Sequence, residues 1–454
     1  TMKLSNSVPL ILALLATPIA AQSAATLKKE LKKMESAAKK DPEALFAAGK
    51  WANESNLKKD ATRIFQKVLK LDKNHAGANK ALGNEEFDGK WWPAKKAKAL
   101  REKARDAEFS AKGYKKIDGV WVPAEDVKDA RKGIFKHEGE LVSRNEKVAL
   151  QEGKVRHPVT GQLIAAADLE KAQNGYFPLA NDKWGDQKDA NQFHSELGRP
   201  WIIRTDSAQI MSTLPIEKIE ELKMHVEQGI EKVSPLFGSR EITPDKRPMV
   251  IIAKTQSEYT NLGNNLGDGT DVAGAFLISE EAEFRVPGQG IIRPAICENH
   301  KDWGVRYIRH AAAIAYINAI AEEAGADLPL WFVHSVGSYT SRFENDSDAG
   351  WFSKAHIGRG GVTSPKSFMS GFTLNGDMTS TQIAFNIFQA GLFLSYATRG
   401  GNQEVTDAMV ALTETLSGKA KGSASKAIVK LEKLLADNKD GISAHLKELA
   451  AKGP

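Results

Sequence analysis

The chain has 454 residues, 41% hydrophobic and 26% charged, a composition that builds packed domains and excludes a disordered or fibrous protein. The formal net charge of +6 is unevenly placed: residues 26–137 hold 28 Lys plus Arg against 17 Asp plus Glu, which with Lys3 leaves −6 from 138 onward. Cys297 is the only cysteine, which excludes an internal disulfide, so stability must come from burial.

Lys3 is followed by the apolar run Val8–Ala20 and then by the small residues Ala21, Ser23, Ala24 and Ala25. A short positive stretch, an apolar core and small residues at the exit are what a signal peptidase reads. The expectation is a signal peptide over 1–21, with cleavage after Ala21 or as late as Ala25, and an exported protein, periplasmic or extracellular. An uncleaved anchor is the alternative. No later stretch approaches the ~20 apolar residues of a membrane-spanning helix, so no transmembrane segment is expected after cleavage.

From Leu27 to Leu82 apolar residues recur at helical spacing. Asp41-Pro42 supplies an N-cap and a first-turn proline for a helix with the stripe Leu45, Ala48, Trp51 and Ala52. A second helix runs from Leu57 through Ala61, Ile64, Phe65 and Val68 to Leu71, and a third starts at Ala76. This segment, 26–83, resembles one to one and a half tetratricopeptide repeats, too few for a long solenoid groove. Its basic charge suits an anionic envelope polymer, although solvated lysine-rich helices explain it equally; aromatic residues are not interleaved as nucleic-acid binding requires.

Residues 84–195 read as small turn–strand–helix units. Asp88-Gly89-Lys90-Trp91-Trp92-Pro93 recurs about thirty residues later as Asp118-Gly119-Val120-Trp121-Val122-Pro123, with looser echoes at His157-Pro158 and Gly175-Tyr176. Asp-Gly supplies a tight turn, Trp an anchor and Pro the start of the next helix. The tryptophans either pin each turn to its own helix or face outward to bind polymer.

The body, 198–454, opens with the strand Pro200–Thr205. Ile216–Phe237 is an amphipathic helix, Pro248–Ala253 a buried strand, and Ser257-Glu258-Tyr259 opens a short helix. A glycine-rich loop spans Gly263–Gly274, with strands expected at Ala275–Ser279, Glu283–Val286 and Ile291–Ile296. Trp303–Ala324 is almost continuously apolar from Ala311 to Ala321 and must be a central helix. Another begins at Leu328-Pro329-Leu330-Trp331-Phe332 and reaches about Phe343. Helices follow at Thr381–Thr398, Glu404–Leu416 and Ser423–Leu449, so strands precede helices in an α+β body.

This order, with Trp-Ile-Ile-Arg-Thr, the Glu-Tyr helix start, the glycine loop and Leu-Pro-Leu-Trp-Phe, resembles the gluzincin-like (peptidase MA-like) domains of exported bacterial proteins over Trp201–Leu449. The resemblance implies a zinc site in which H-E-x-x-H on the central helix and a Glu on the next bind the metal and activate water. Here the stretch is His310-Ala311-Ala312-Ala313-Ile314: one ligand remains, while the general base and the second ligand are gone. On the next helix His334 stands in the region of the family Glu, and Ser338, before Tyr339, at a later acidic position. Arg306, one turn from His310, opposes a dication.

The expectation is therefore a pseudo-peptidase with no catalytic residue, no metal and no cofactor. Its relict pocket would hold His310, His334, Ser338, Tyr339 and Arg306, and a peptide or protein would bind beside an edge strand drawn from 275–286. His310 reads equally as a hydrogen-bonded core histidine. The alternatives are a metal-dependent hydrolase rebuilt around His300, His356 or Glu298, and an envelope scaffold attached through the basic arm. Other constellations fail: Val333-His334-Ser335-Val336-Gly337 lacks the first glycine of a nucleophile elbow, Cys297 with His300 is a lone C-x-x-H, and Asp268, Thr270 and Asp271 lack a calcium-loop pattern.

Overall fold

The structure, a computed structural model, describes residues 24–180, 182–238, 242–266, 275–277, 284–285, 291–374 and 378–453. The signal-peptide run, most of the glycine-rich loop with Asp268, Thr270 and Asp271, and residues 278–279, Glu283 and Val286 fall outside those residues, while Phe284–Arg285 is a strand paired antiparallel with Ile291–Ile292. The fold is α+β, with helices dominating and small sheets. The chain divides into two compact units: one reaches Lys116 and includes Trp121–Ala124; the other comprises Ile117–Val120 and everything from Glu125. The division thus falls inside the hairpin repeat rather than at either of its ends.

The first unit begins with helices Ala24–Ala38, Pro42–Glu54, Lys58–Leu71 and Ala76–Ala81. Asp41 caps the second helix, its carboxylate accepting the N–H groups of Glu43 at 2.9 Å and Ala44 at 3.3 Å. Leu31, Leu45, Ala48, Ile64, Phe65 and Val68 close a core whose helical spacing was already visible in the sequence.

The repeat is longer than its tryptophans suggest. Five hairpins succeed one another: Asn84–Phe87 with Lys90–Pro93, Lys115–Ile117 with Val120–Val122, Phe135–His137 with Glu140–Val142, Lys154–Arg156 with Leu163–Ala165, and Phe177–Pro178 with Trp184–Gly185. The first three turn on residue pairs with positive φ at both positions: Asp88 and Gly89 (52° and 67°), Asp118 and Gly119 (47° and 82°), Glu138 and Gly139 (52° and 87°). That is the type I′ geometry whose twist suits a two-residue hairpin. The Trp121 indole donates to Asp106 at 2.7 Å and stacks on Phe109, both on the preceding helix Ala94–Ala111. It is thereby pinned to the helix before it, not the one after.

In the second unit an ion cluster around the buried Arg204 joins the third hairpin to the first strand of the sheet. Arg204 pairs with Glu146 and with Glu140 at 2.5 Å, and Arg156 reaches the same two carboxylates. Five strands stand in the order Trp201–Arg204, Gln209–Ser212, Met249–Ala253, Ala295–Glu298, Ala275–Leu277. The first pair is antiparallel, the next two pairings are parallel, and Ala275–Leu277 lies antiparallel at the far edge. The helices Ile216–Phe237 and Gly304–Ala324 pack together, and the latter lies against the sheet. Residues 310–321 are all buried, which accounts for the almost continuous apolar character of Ala311–Ala321.

Three expectations are corrected here. The helix read as Ser423–Leu449 is two, Ala424–Asp437 and Lys439–Lys452, because Asn438 leaves helical geometry and its amide donates to Leu434 O. The helix from Leu330 stays α only to Ser338 and continues as a π-turn, Tyr339–Phe343. Asp346–Ile357, capped by Asn345, is a helix that sequence periodicity did not single out.

Candidate functional site

His310 sits on the central helix Gly304–Ala324, and His334 on the short helix Leu330–Ser338 packed across it. The alanines that follow His310 leave room for close approach, and Gly337 permits it: a Cβ there would fall 2.5 Å from His310 Cδ2 and 2.7 Å from Ile314 Cγ2. The two imidazoles meet, with His310 Nε2 3.0 Å from His334 Nδ1.

A third residue joins them that sequence reasoning passed over. Arg342 Nη1 donates to His310 Nδ1 at 3.0 Å. A π-turn carries one more residue per turn than an α-turn, which re-aims the side chain at its end. Its widened backbone is satisfied locally: Thr340 Oγ1 donates to Val336 O at 3.0 Å, and Ser341 Oγ to Gly337 O at 2.6 Å while accepting Arg342 Nη1 at 2.7 Å. The available signal was a lone arginine closing an otherwise uncharged run, Ser338-Tyr339-Thr340-Ser341.

The proton positions follow from the arginine. A guanidinium only donates, so His310 Nδ1 must accept, and the ring proton lies on Nε2. That N–H points to His334 Nδ1, which must therefore be bare, leaving the His334 proton on its own Nε2. His310, His334 and Arg342 are only 2%, 1% and 5% exposed. Burial drives His310 well below the ordinary histidine range, with the Arg342 charge and His334 adding to it. Burial and then the Arg342 charge bring His334 down to about 3. Arg342 falls to about 10 through burial, opposed by Tyr307 and reinforced by the Arg306 charge, and so stays charged at neutral pH beside two neutral rings.

The other pocket candidates are distributed around this chain of three. Arg306 is turned aside to Asp348 at 2.8 Å and lies over Trp303 and Phe352. Ser338 is fully buried against Gly391 of the helix Ser380–Arg399, and its hydroxyl has no hydrogen-bond partner among the described residues. Tyr339 opens the π-turn, partly buried. His300, Glu298 and His356 do not converge on His310. His300 Nδ1 accepts the N–H groups of Asp302 and Trp303 ahead of the central helix, Glu298 ends a strand, and His356 is buried against Phe385 on the helix Asp346–Ile357. Cys297 is fully buried and burial pushes its thiol up, which makes it unreactive.

Among the described residues no group of three or more His, Cys, Asp or Glu side chains is placed to hold a metal ion. A Ser–His pair does occur elsewhere, Ser395 Oγ with His445 Nε2 at 3.0 Å, both buried. Arg399 Nε donates to the same hydroxyl at 3.1 Å, so this serine ties the helices Ser380–Arg399 and Lys439–Lys452 together and offers no free nucleophile. No helix among the described residues is long and apolar enough to cross a membrane. In comparisons with known proteins, no family model matches the chain and no curated protein matches it.

Proposed function

We propose that the chain is an exported, gluzincin-like pseudo-peptidase whose body binds an extended peptide or protein segment without hydrolysing it. The observation that carries the reading is the engagement of His310 on both ring nitrogens. Its Nδ1 lone pair is occupied by Arg342, and its Nε2 is committed as a donor to His334. A catalytic zinc needs about three protein ligands with free lone pairs. Here a metal would have to break two buried hydrogen bonds and tolerate the Arg342 guanidinium beside its ligand. The peptide-binding half of the reading is supported by the edge strand Ala275–Leu277, which among the described residues pairs on one side only and lies beside the central helix. Edge strands bind extended chains through main-chain hydrogen bonds. The run Val8–Ala20 with its small-residue exit supports export.

The test is metal analysis by mass spectrometry of the purified protein beside a His310→Ala, His334→Ala double variant, together with titration of fluorescein-labelled, carboxymethylated lactalbumin. The expected result is no zinc in either sample and saturable binding without cleavage. Near-stoichiometric zinc that disappears in the variant would overturn the reading in favour of a rebuilt hydrolase.

A further inference from the structure

The first helix, Ala24–Ala38, has two unlike sides. Leu27, Leu31 and Ala38 are buried on one. On the other, Lys28 and Lys32 stand one turn apart, and so do Lys29 and Lys33; Lys39 and Lys40 follow in the turn beyond. All six lysines are exposed, and none forms an ion pair among the described residues. Of the two acids on this helix, Glu30 forms no ion pair among the described residues, and Glu35 is held by Arg63 at 2.7 and 2.8 Å and by Lys67 at 2.8 Å. Like charges one turn apart oppose helix formation, so the fold bears a local cost that it does not neutralise.

We propose that this lysine side docks on an anionic lipid surface. Charge complementarity sets the sign of the partner, and shape sets its class. The lysines are exposed along one side of a helix, four of them within two turns, so a plane meets several cations at once. Ammonium groups are hydrated point charges without the planar fork that reads individual phosphates or stacks on bases, which suits a laterally averaged headgroup layer. The apolar side is occupied by the helix's own core, so attachment is electrostatic and reversible, each lysine at the surface adding about fivefold to partitioning.

The experiment is co-flotation of the full chain with vesicles of phosphatidylcholine alone or mixed with phosphatidylglycerol, at low and high salt. Two quadruple variants accompany it: K28Q/K29Q/K32Q/K33Q, and K95Q/K96Q/K98Q/K103Q on the Ala94–Ala111 helix, which removes the same net charge elsewhere. The proposal expects binding only to the anionic vesicles and its loss in high salt. The first variant should bind roughly several hundredfold more weakly, about fivefold for each of its four lysines, and the second about as well as the parent. Circular dichroism checks that both variants are folded. Equal losses in the two variants, or equal binding to neutral vesicles, would overturn it. So would capture by soluble polyphosphate with no binding to anionic vesicles, which would assign the lysines to a polymer.

Discussion

At the scale of single residues, Gly337 and Arg342 determine what the His310–His334 pair is. Gly337 lets the two helices approach until the rings share a proton between fixed nitrogens. A methyl group there would meet His310 Cδ2 at 2.5 Å and Nε2 at 2.6 Å, and that ring is held by hydrogen bonds at both nitrogens, so it has no rotamer to escape into. Overpacking of a close-packed core costs about 1–3 kcal/mol, and separating the rings would also leave buried imidazole nitrogens unpaired. Gly337→Ala should therefore destabilise the body by about 3 kcal/mol in urea denaturation, with the midpoint lowered at unchanged slope. An unchanged midpoint would mean that the helices slide apart freely and that the geometry of the pair is soft. Glu146 shows the same weighing of effects on an acid. Burial raises its carboxyl, yet the Ser143 N–H and then the Arg204 and Arg156 charges outweigh burial and hold it below the usual range.

At the scale of elements, the hairpin repeat makes a prediction that clash cannot explain. A Cβ on Gly139 would meet nothing within 4 Å, so the cost of Gly139→Ala is conformational alone: φ is +87°. Forcing an L-residue into that region costs about 1–2 kcal/mol. Glu138 is already such a residue, at φ +52°, and Asn tolerates the left-handed region better. Glu138→Asn should raise the thermal midpoint slightly, Gly139→Ala should lower it by a few degrees, and the same sign for both would reject the type I′ assignment. These turns also mark how far the sequence could be read. The first two were legible as Asp-Gly before Trp; the third escaped because Glu138 stands where Asp would, and the backbone conformation, not the side chain, is what repeats. The amphipathic helices and the central helix were legible because burial imposes periodicity or its absence over many residues. The α+β order was legible for the same reason. Arg342 was not, because a π-turn has no residue signature and one extra residue per turn rotates every later side chain. His310 and His334 could be singled out from the chain alone, but their contact depends on Gly337, whose role exists only in three dimensions.

At the scale of the molecule, the buried histidines set how the protein responds to acid. His334 is brought down to about 3, His356 and His445 to about 4, and His310 well below its ordinary value; burial is the largest cause in each. All four lie in the second unit. A group whose folded value is depressed binds its proton first in the unfolded chain, so its contribution is complete above about pH 6.5 and is lost as pH falls towards 3–4. Each unit of pH in that window removes up to about 1.4 kcal/mol per ring, and four rings together reach the scale of a domain's whole stability. The first unit depends on a different group. Glu35 is held down to about 2, first by its hydrogen bond to Arg63, so its contribution persists above about pH 4.5 and is lost only as pH falls from there to 2. The second unit should therefore open before the first. Pulse-labelling hydrogen exchange between pH 7 and pH 4 should show protection lost in peptides covering 304–343 while those covering 42–71 remain protected. Simultaneous loss would mean that the two units unfold as one cooperative body, and earlier loss in 42–71 would mean that the lysine repulsion in the arm outweighs the burial of four neutral rings. Replacing His334 by Gln separates these causes: it removes one buried proton acceptor without altering the arm, so it should move the acid transition of the second unit to lower pH and leave that of the first where it was.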